Sequence, residues 1–233
     1  MITSQEKLEK LIQEWGFLPF FINRIKGFSI EEHTPQELWF TDEHMAGPWE
    51  WKGPVIGNWQ SAYGKFYEKK AGWISLEWLP DFMNWRRHLY PLDNLPAPCR
   101  HILDTLRECE SAISRELKKK CGYSLTRKKK TFNPDNPLTP VINKNTGADF
   151  DKLINDLQMG TWVCIADFEY LYSKTGERYG WGLARYCTPE AMYEINIPEA
   201  TGHRSPEESR NRIICHIKEL FPAAAEKEIM KLI

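Results

Sequence analysis

The sequence predicts an α+β protein, in which a winged-helix domain follows an aromatic-rich N-terminal region of strands and helices and precedes a C-terminal helical appendage. Three observations support this fold class. Strand-like and helical patterns are mixed with tryptophans over residues 47–87. Three helical patterns precede a two-stranded hairpin pattern over residues 99–187, and a strong helix start lies near residue 205.

The length and composition set the scale of the domains. A chain of 233 residues fits one large domain or two intermediate ones. With 42% hydrophobic and 27% charged residues, it can bury an apolar core without disulfides or metals. A proline-rich stretch, residues 90–98, suggests a boundary. We therefore divide the chain into an N-terminal α+β region (1–95), a winged-helix-like domain (96–195) and the helical appendage (196–233).

The chain begins with a predicted helix over residues 4–15, where apolar residues recur at helical spacing before Gly16. Residues 16–22 predict a buried apolar connection, because Pro19 disfavours regular structure. A short helix then follows, with Thr34 as its N-cap and Pro35 in its first turn.

Residues 47–87 hold six of the ten tryptophans, so they form either the main core or a recognition surface. Residues 49–52 alternate aromatic and charged side chains and predict a half-buried strand, which residues 55–56 extend. Residues 62–74 predict one or two further strands, and a helix with Pro80 in its first turn follows. These periodicities favour the core.

The second half predicts a run of helices and then a hairpin. The elements are a helix over 99–108, a helix over 112–120 capped by Ser111, a long loop over 123–147, a helix over 149–158, and strands over 162–172 and 179–187. Three helices followed by a two-stranded wing are the order of a winged helix. A short helix starts at Thr188, and Ser205-Pro-Glu-Glu predicts a capped helix after it.

Positive charge is concentrated in residues 115–130, which hold eight basic residues and one acid in a chain of net charge −1. Such a patch indicates either an anionic partner or a solvated lysine-rich loop. The candidate phosphate contacts, which need only cations within reach, are Lys118, Lys119, Lys120, Arg127, Lys128, Lys129 and Lys130, with Lys174 and Arg178 on the wing. Base reading is disfavoured, because the third helix carries three aspartates and one lysine.

Two acids, Glu50 and Glu68, lie within the aromatic stretch and are candidate catalytic bases. The competing interpretation, which we prefer, places both on the solvent side of strands, paired with nearby lysines. No metal-ligand spacing and no phosphate-binding glycine loop occurs, so no cofactor is expected. Six irregularly spaced cysteines and the lack of a long apolar run predict reduced thiols in a cytoplasmic protein without membrane contact.

At residues 66–68, 71–74, 78–80, 82 and 86–87 the chain resembles a characteristic block of the AlkZ-like (YcaQ-like) DNA glycosylases. The stretches LWF (38–40), GPWEWKGPV (47–55), AYGKF (62–66) and IADFEY (165–170) are most similar to shorter bacterial AlkZ-related proteins. The resemblance implies a DNA-associated, winged-helix protein of the DNA-repair type. It also implies a Gln-x-Gln or Gln-x-Asp motif that orients the attacking water.

That motif is missing from this sequence. None of its five glutamines has Gln or Asp two residues later, so no catalytic residue can be carried over from the family. Three hypotheses remain: a protein that binds double-stranded DNA without the family's hydrolysis, an active base-excision glycosylase with relocated catalytic groups, and a winged-helix module that binds a protein partner or a second copy of the chain.

Overall fold

The structure is a computed structural model that describes residues 1–40, 47–125, 130–131, 141–142 and 147–233. Its helices are α1 (Gln5–Trp15), α2 (Ile30–His33), α3 (Pro48–Gly57), α4 (Leu79–Leu89), α5 (Ala97–Cys109), α6 (Ser114–Lys120), α7 (Gly147–Met159), α8 (Pro189–Tyr193), α9 (Ile197–Ala200), α10 (Pro206–Leu220) and α11 (Glu226–Leu232). Its strands are β1 (Phe17–Pro19), β2 (Ser61–Tyr67), β3 (Lys70–Ser75), β4 (Ser111–Ile113), β5 (Lys130–Thr131), β6 (Val141–Ile142), β7 (Cys164–Tyr172) and β8 (Arg178–Cys187).

Several predicted residues lie outside this description. Arg127, Lys128 and Lys129 are not among the described residues, and neither is the side chain of Lys130. Most of the predicted loop over 123–147 is likewise outside them, although β5 and β6 within it pair as a short antiparallel ladder.

One antiparallel sheet with strand order β1-β3-β2-β7-β8-β4 organises the chain. Its first three strands come from the predicted N-terminal region and its last three from the predicted winged-helix domain. Within the sheet, the strand register joins the two halves at Tyr63 of β2 and Ile165 of β7. The mixed helix and strand content confirms the α+β class, while the three-part domain division stays a prediction.

The capping signals predicted several helices correctly. In α1, the Ser4 Oγ accepts a hydrogen bond from the Lys7 amide, and Gly16 follows the helix at φ +71°. In α10, Ser205 and Glu208 form the predicted capping box. The strands over 62–74, the helix containing Pro80, the helices over 99–108 and 149–158, the hairpin over 162–187 and the short helix after Thr188 are also confirmed.

The predicted strand over 49–56 is wrong, because these residues form α3. Pro48, Trp51, Lys52, Val55 and Ile56 are its buried residues, at the i, i+3, i+4, i+7, i+8 spacing of one helical face. Pro48 occupies the first turn, where its missing amide costs no helical hydrogen bond. An aromatic and charged alternation over only four residues is too short to distinguish this helix from a strand.

Three smaller predictions also need correction. Residues 17–19 form a strand, and Pro19 is tolerated there because β1 is an edge strand that pairs only with β3. Ser111 does not cap a helix, because β4 pairs with β8 and α6 begins only at Ser114. The short helix predicted after Thr34 is a 3₁₀ turn over Gln36–Leu38, but Thr34 does not cap it, because Pro35 holds the N-cap position and Thr34 ends α2.

Residues 47–87 contribute mostly to the core, as predicted: Trp51, Trp73, Trp78 and Trp85 are buried, whereas Trp59 is 58% exposed. The predicted C-terminal appendage packs on the same core, to which α10 contributes Ile213 and Ile217. No helix in the described part of the chain combines the length and apolar character needed to cross a bilayer.

Candidate nucleic-acid interface

The predicted cations of α6 divide into engaged and free side chains. The Lys118 Nζ lies 2.8 Å from an Asp151 carboxylate oxygen, and this side chain is only 16% exposed. Arg115, Lys119 and Lys120 are exposed, and their side chains form no ion pair or hydrogen bond with any described residue. These three cations are therefore available to an anionic partner, whereas Lys118 is already neutralised by α7.

The wing, which we define as β7, β8 and the turn between them, also carries one free and one engaged cation. Lys174 is exposed in the turn and forms no ion pair with the described residues. The Arg178 guanidinium instead donates two hydrogen bonds, of 2.7 and 3.1 Å, to the two carboxylate oxygens of Glu50, and it stacks 3.3 Å from the centre of the Tyr170 ring. A phosphate would have to compete with Glu50 for Arg178.

Glu50 reaches Arg178 because it lies in the first turn of α3, which packs against β7. Beside it, the Nζ of the buried Lys52 lies 4.1 Å above the Phe168 ring. Burial lowers the pKa of Lys52, the nearby Glu50 carboxylate raises it, and Arg178 lowers it further. The structure thus brings together two predicted site residues, Glu50 and Arg178, as an ion pair of opposite charges.

The second candidate base, Glu68, lies far from this pair in the tight turn between β2 and β3, at φ +47°. Its carboxylate accepts hydrogen bonds of 3.2 and 3.1 Å from Arg24. Both glutamates therefore pair with cations, as we preferred, but their partners are distant arginines and not the neighbouring lysines. Both carboxylate oxygens of Glu50 are bound by Arg178, whereas Arg24 binds only one oxygen of the exposed Glu68.

Helix α7, the predicted groove-reading helix, is covered by the β2–β3 hairpin. The Lys65 amide donates to the Gln158 side-chain oxygen at 3.0 Å, and the Lys69 Nζ lies 2.7 Å from an Asp156 oxygen. The buried Arg86 of α4 donates through Nε to the Met159 carbonyl at 2.7 Å. Helix α7 also packs on α5. Contacts with the protein thus involve the last turn of α7 and its face toward α5, while Lys152 stays exposed.

Two features of this region escaped the sequence reasoning. Arg86 lies near the end of α4, where a cation is usually exposed, yet it is 2% exposed and donates to the Phe66 and Met159 carbonyls. Trp181 is 77% exposed at a bulge of β8, where the pairing register with β7 shifts and Gly180 adopts φ +74°. Glycines on both sides of Trp181 were the available signal, because bulges use glycine to redirect side chains.

No group of three or more His, Cys, Asp or Glu side chains that could hold a metal ion lies within the described ranges. All six cysteines are free thiols. The chemistry that this surface offers is therefore cation–anion contact and aromatic stacking.

Comparison with known proteins gives one family match. No curated protein and no solved structure matches the chain significantly. The family model described as AlkZ related matches residues 2–233, and this chain therefore belongs to the AlkZ-related family.

Proposed function

We propose that this chain binds double-stranded DNA through phosphate contacts from α6 and the wing, and that it lacks the hydrolytic activity of the AlkZ-like glycosylases. The observation that carries the proposal is the distribution of free charge. Arg115, Lys119, Lys120 and Lys174 are exposed and unpaired within the described ranges, while the acids Asp151 and Asp156 of α7 are paired with lysines. Exposed cations next to neutralised acids suit a polyanion.

The order of elements supports a winged-helix unit over residues 97–187. Strand β4, between α5 and α6, pairs with β8, which pairs in turn with β7. The resulting order is helix, strand, helix, helix and a two-stranded wing, with the first strand completing a small antiparallel sheet. The sequence missed that strand, so the case for a winged helix is stronger with it than with three helices and a hairpin alone.

The mode of binding is sequence-independent. Helix α7 packs on α5, the β2–β3 hairpin binds its last turn, and its earlier turns carry the partly exposed acids Asp149 and Asp151, which disfavour contact with DNA bases. Phosphate contacts need only cations within reach and carry no direct base information. A DNA partner, together with six free thiols, agrees with the predicted cytoplasmic location.

Loss of hydrolysis follows from the residues available. The family's glutamine motif is absent from the sequence, and both acids that could replace its function are held by arginines. The alternative of an active glycosylase with relocated groups would require Glu50 to leave Arg178, or the exposed Glu68 to act through the oxygen that Arg24 does not bind. An assay for base release from alkylated and crosslinked duplexes separates the two, because our proposal predicts no release above background.

The binding proposal is tested by Lys119→Gln/Lys120→Gln, measured as duplex affinity across a salt series. Removing two phosphate contacts should reduce the slope of log affinity against log salt by about 2, one per lysine. The matched control is Lys227→Gln/Lys231→Gln, which removes the same charge from two exposed lysines of α11. The control should keep the wild-type slope. If the slope changes equally in both variants, binding depends only on the net charge of the chain. If the slope changes in neither variant, the proposed phosphate contacts from α6 are contradicted.

A further inference from the structure

A cleft of about 700 Å³ opens where the end of α3 faces β4, β7, β8 and α8. Its lining is apolar at Ala166 and Met192 and polar at Glu110, Asp167 and Arg185. Its volume is within the range of small-molecule sites, roughly 300–1,000 Å³. None of these residues was among the sequence-predicted site residues, and none contributes to the proposed phosphate contacts.

Trp59 lines this cleft in a conformation that its own side chain disfavours. It follows the last turn of α3 at φ +56°, a left-handed position at a helix end where glycine is the usual residue. Its side chain is nevertheless 58% exposed, unlike the other tryptophans of its stretch that are buried in the core. Burial within the chain therefore does little to offset the backbone strain, and a planar ligand lying on the indole would supply the missing contact.

Glu110, which also lines the cleft, has a backbone conformation of the same kind. It ends α5 at φ +60° and is exposed, so a second left-handed residue other than glycine lines the same cleft. Backbone strain of this kind is concentrated at ligand sites when the surrounding structure holds it in place. Two strained positions from different helices thus meet at one cleft.

The charges of the cleft favour a ligand that donates hydrogen bonds. The Asp167 Oδ1 accepts the Phe168 amide at 2.7 Å, and its carboxylate has no other partner in the described part of the chain. The Arg185 guanidinium is already bound by the Glu169 carboxylate and donates to the Ser111 hydroxyl at 3.1 Å. The carboxylates of Asp167 and Glu110 thus form no ion pair with a described residue, even though Arg185 lies opposite Asp167 in the strand register, and this suits ligand donors more than a phosphate.

We propose that this cleft binds a guanine base, stacked on Trp59 and hydrogen-bonded to Asp167. Guanine has two adjacent N–H donors on one edge, which match the two oxygens of a carboxylate, each able to accept more than one hydrogen bond. The base edges of adenine and cytosine place an acceptor beside their donor, and uracil places acceptors on both sides of its single N–H. The same chemistry is available from a free nucleoside or from an unpaired guanine in a nucleic-acid strand, and the proposal does not rest on duplex binding by α6.

The test is calorimetric titration of the full chain with guanosine, uridine and guanosine monophosphate. Guanosine should bind, uridine should not, and the phosphate should weaken binding. Trp59→Gly should lower guanosine affinity by about tenfold or more, the scale of base stacking on an aromatic ring. Because glycine suits the backbone at this position, the variant should unfold at the same or a higher temperature. Asp167→Asn should also lose guanosine, since it replaces one acceptor oxygen with a donor group.

The matched control is Trp181→Gly, which removes another exposed tryptophan outside the cleft and should leave guanosine affinity unchanged. An oligonucleotide hairpin with a single unpaired guanine, compared with one carrying unpaired thymine, identifies the source of the base. If the chain binds the guanine hairpin more tightly than guanosine and the thymine hairpin, and Asp167→Asn loses this preference, the ligand is an unpaired guanine in a nucleic-acid strand. The proposal is overturned if neither guanosine nor the guanine hairpin binds, if uridine binds equally well, or if Trp59→Gly binds as wild type does.

Discussion

The substitution Glu50→Gln should release Arg178 from its ion pair and increase the affinity for duplex DNA while lowering stability. Glu50 accepts hydrogen bonds of 2.7 and 3.1 Å from Arg178, and the two side chains are 19% and 21% exposed. Glutamine keeps the length of the side chain but has a single carbonyl oxygen and no charge. The guanidinium would then be free to contact a phosphate beside Lys174 on the wing.

The magnitudes follow from that geometry. A hydrogen bond to a charged group contributes about 1.5–3 kcal/mol when it is well shielded, whereas an exposed ion pair contributes about 0.2–1 kcal/mol. Since both side chains are about one-fifth exposed, we expect the free energy of unfolding to fall by about 1–2 kcal/mol. One additional phosphate contact should make the slope of log affinity against log salt steeper by about 0.9.

The assay is duplex affinity across a salt series for Glu50→Gln, Arg178→Gln and the double variant, with urea unfolding of each. Arg178→Gln should keep the wild-type slope, and the double variant should return to it, because only Glu50→Gln exposes a free guanidinium. The reasoning is refuted if Glu50→Gln leaves the slope unchanged. It is equally refuted if Arg178→Gln reduces the slope by about one, because Arg178 would then already contact phosphate in the wild type.

Three further predictions concern stability and thiol chemistry. Burial raises the pKa of Asp81, but hydrogen bonds from two arginines and a serine lower it more. On acidification the unfolded state therefore binds more protons than the folded state, so the free energy of unfolding of the wild type should fall as pH drops below about 4. Asp81→Asn should be about 2–3 kcal/mol less stable at neutral pH and should lose less stability in acid. Calorimetry across a pH series measures both effects. Arg86→Lys should lower the free energy of unfolding, measured in urea, by about 2–4 kcal/mol, because a single ammonium group cannot replace the guanidinium that donates to two buried carbonyls. A decrease of less than about 1 kcal/mol would contradict that role. Burial raises the pKa of Cys99 to about 11, with the Asp156 charge adding to the effect, so alkylation followed by mass spectrometry at mildly alkaline pH should label the exposed Cys215 well before Cys99.

Local signals in the sequence predicted much of the fold. The capping box at Ser205, the serine and glycine that bound α1, and the long alternation of β7 and β8 each depend on residues that are neighbours in the chain. The helix α3 was mistaken for a strand because four alternating residues satisfy both periods, and its burial pattern is set by packing against β7. Strand β4 was missed because a three-residue edge strand exists only through its pairing with β8.

The site was less predictable because its chemistry depends on distant partners. The residue types of Glu50 and Arg178 were recognised, but 128 positions separate them, and no local pattern indicates that they neutralise each other. The acidic character of α7 argues against base reading, and this stays a prediction. The β2–β3 hairpin binds the end of this helix through tertiary contacts with Gln158 and Asp156, and these contacts join residues that are far apart in the chain. The strained Trp59 was hidden among the core tryptophans, since a left-handed backbone is not visible in a sequence.

The central claim is that free cations on α6 and the wing bind duplex DNA without reading its bases. The most direct measurement is the affinity of the wild-type chain for two duplexes of unrelated sequence and equal length, across a salt series. Arg115, Lys119, Lys120 and Lys174 each neutralise one phosphate, so the slope of log affinity against log salt should be about −3.6, with the two duplexes indistinguishable. A slope near zero, or a strong preference for one duplex at all salt concentrations, would contradict the account.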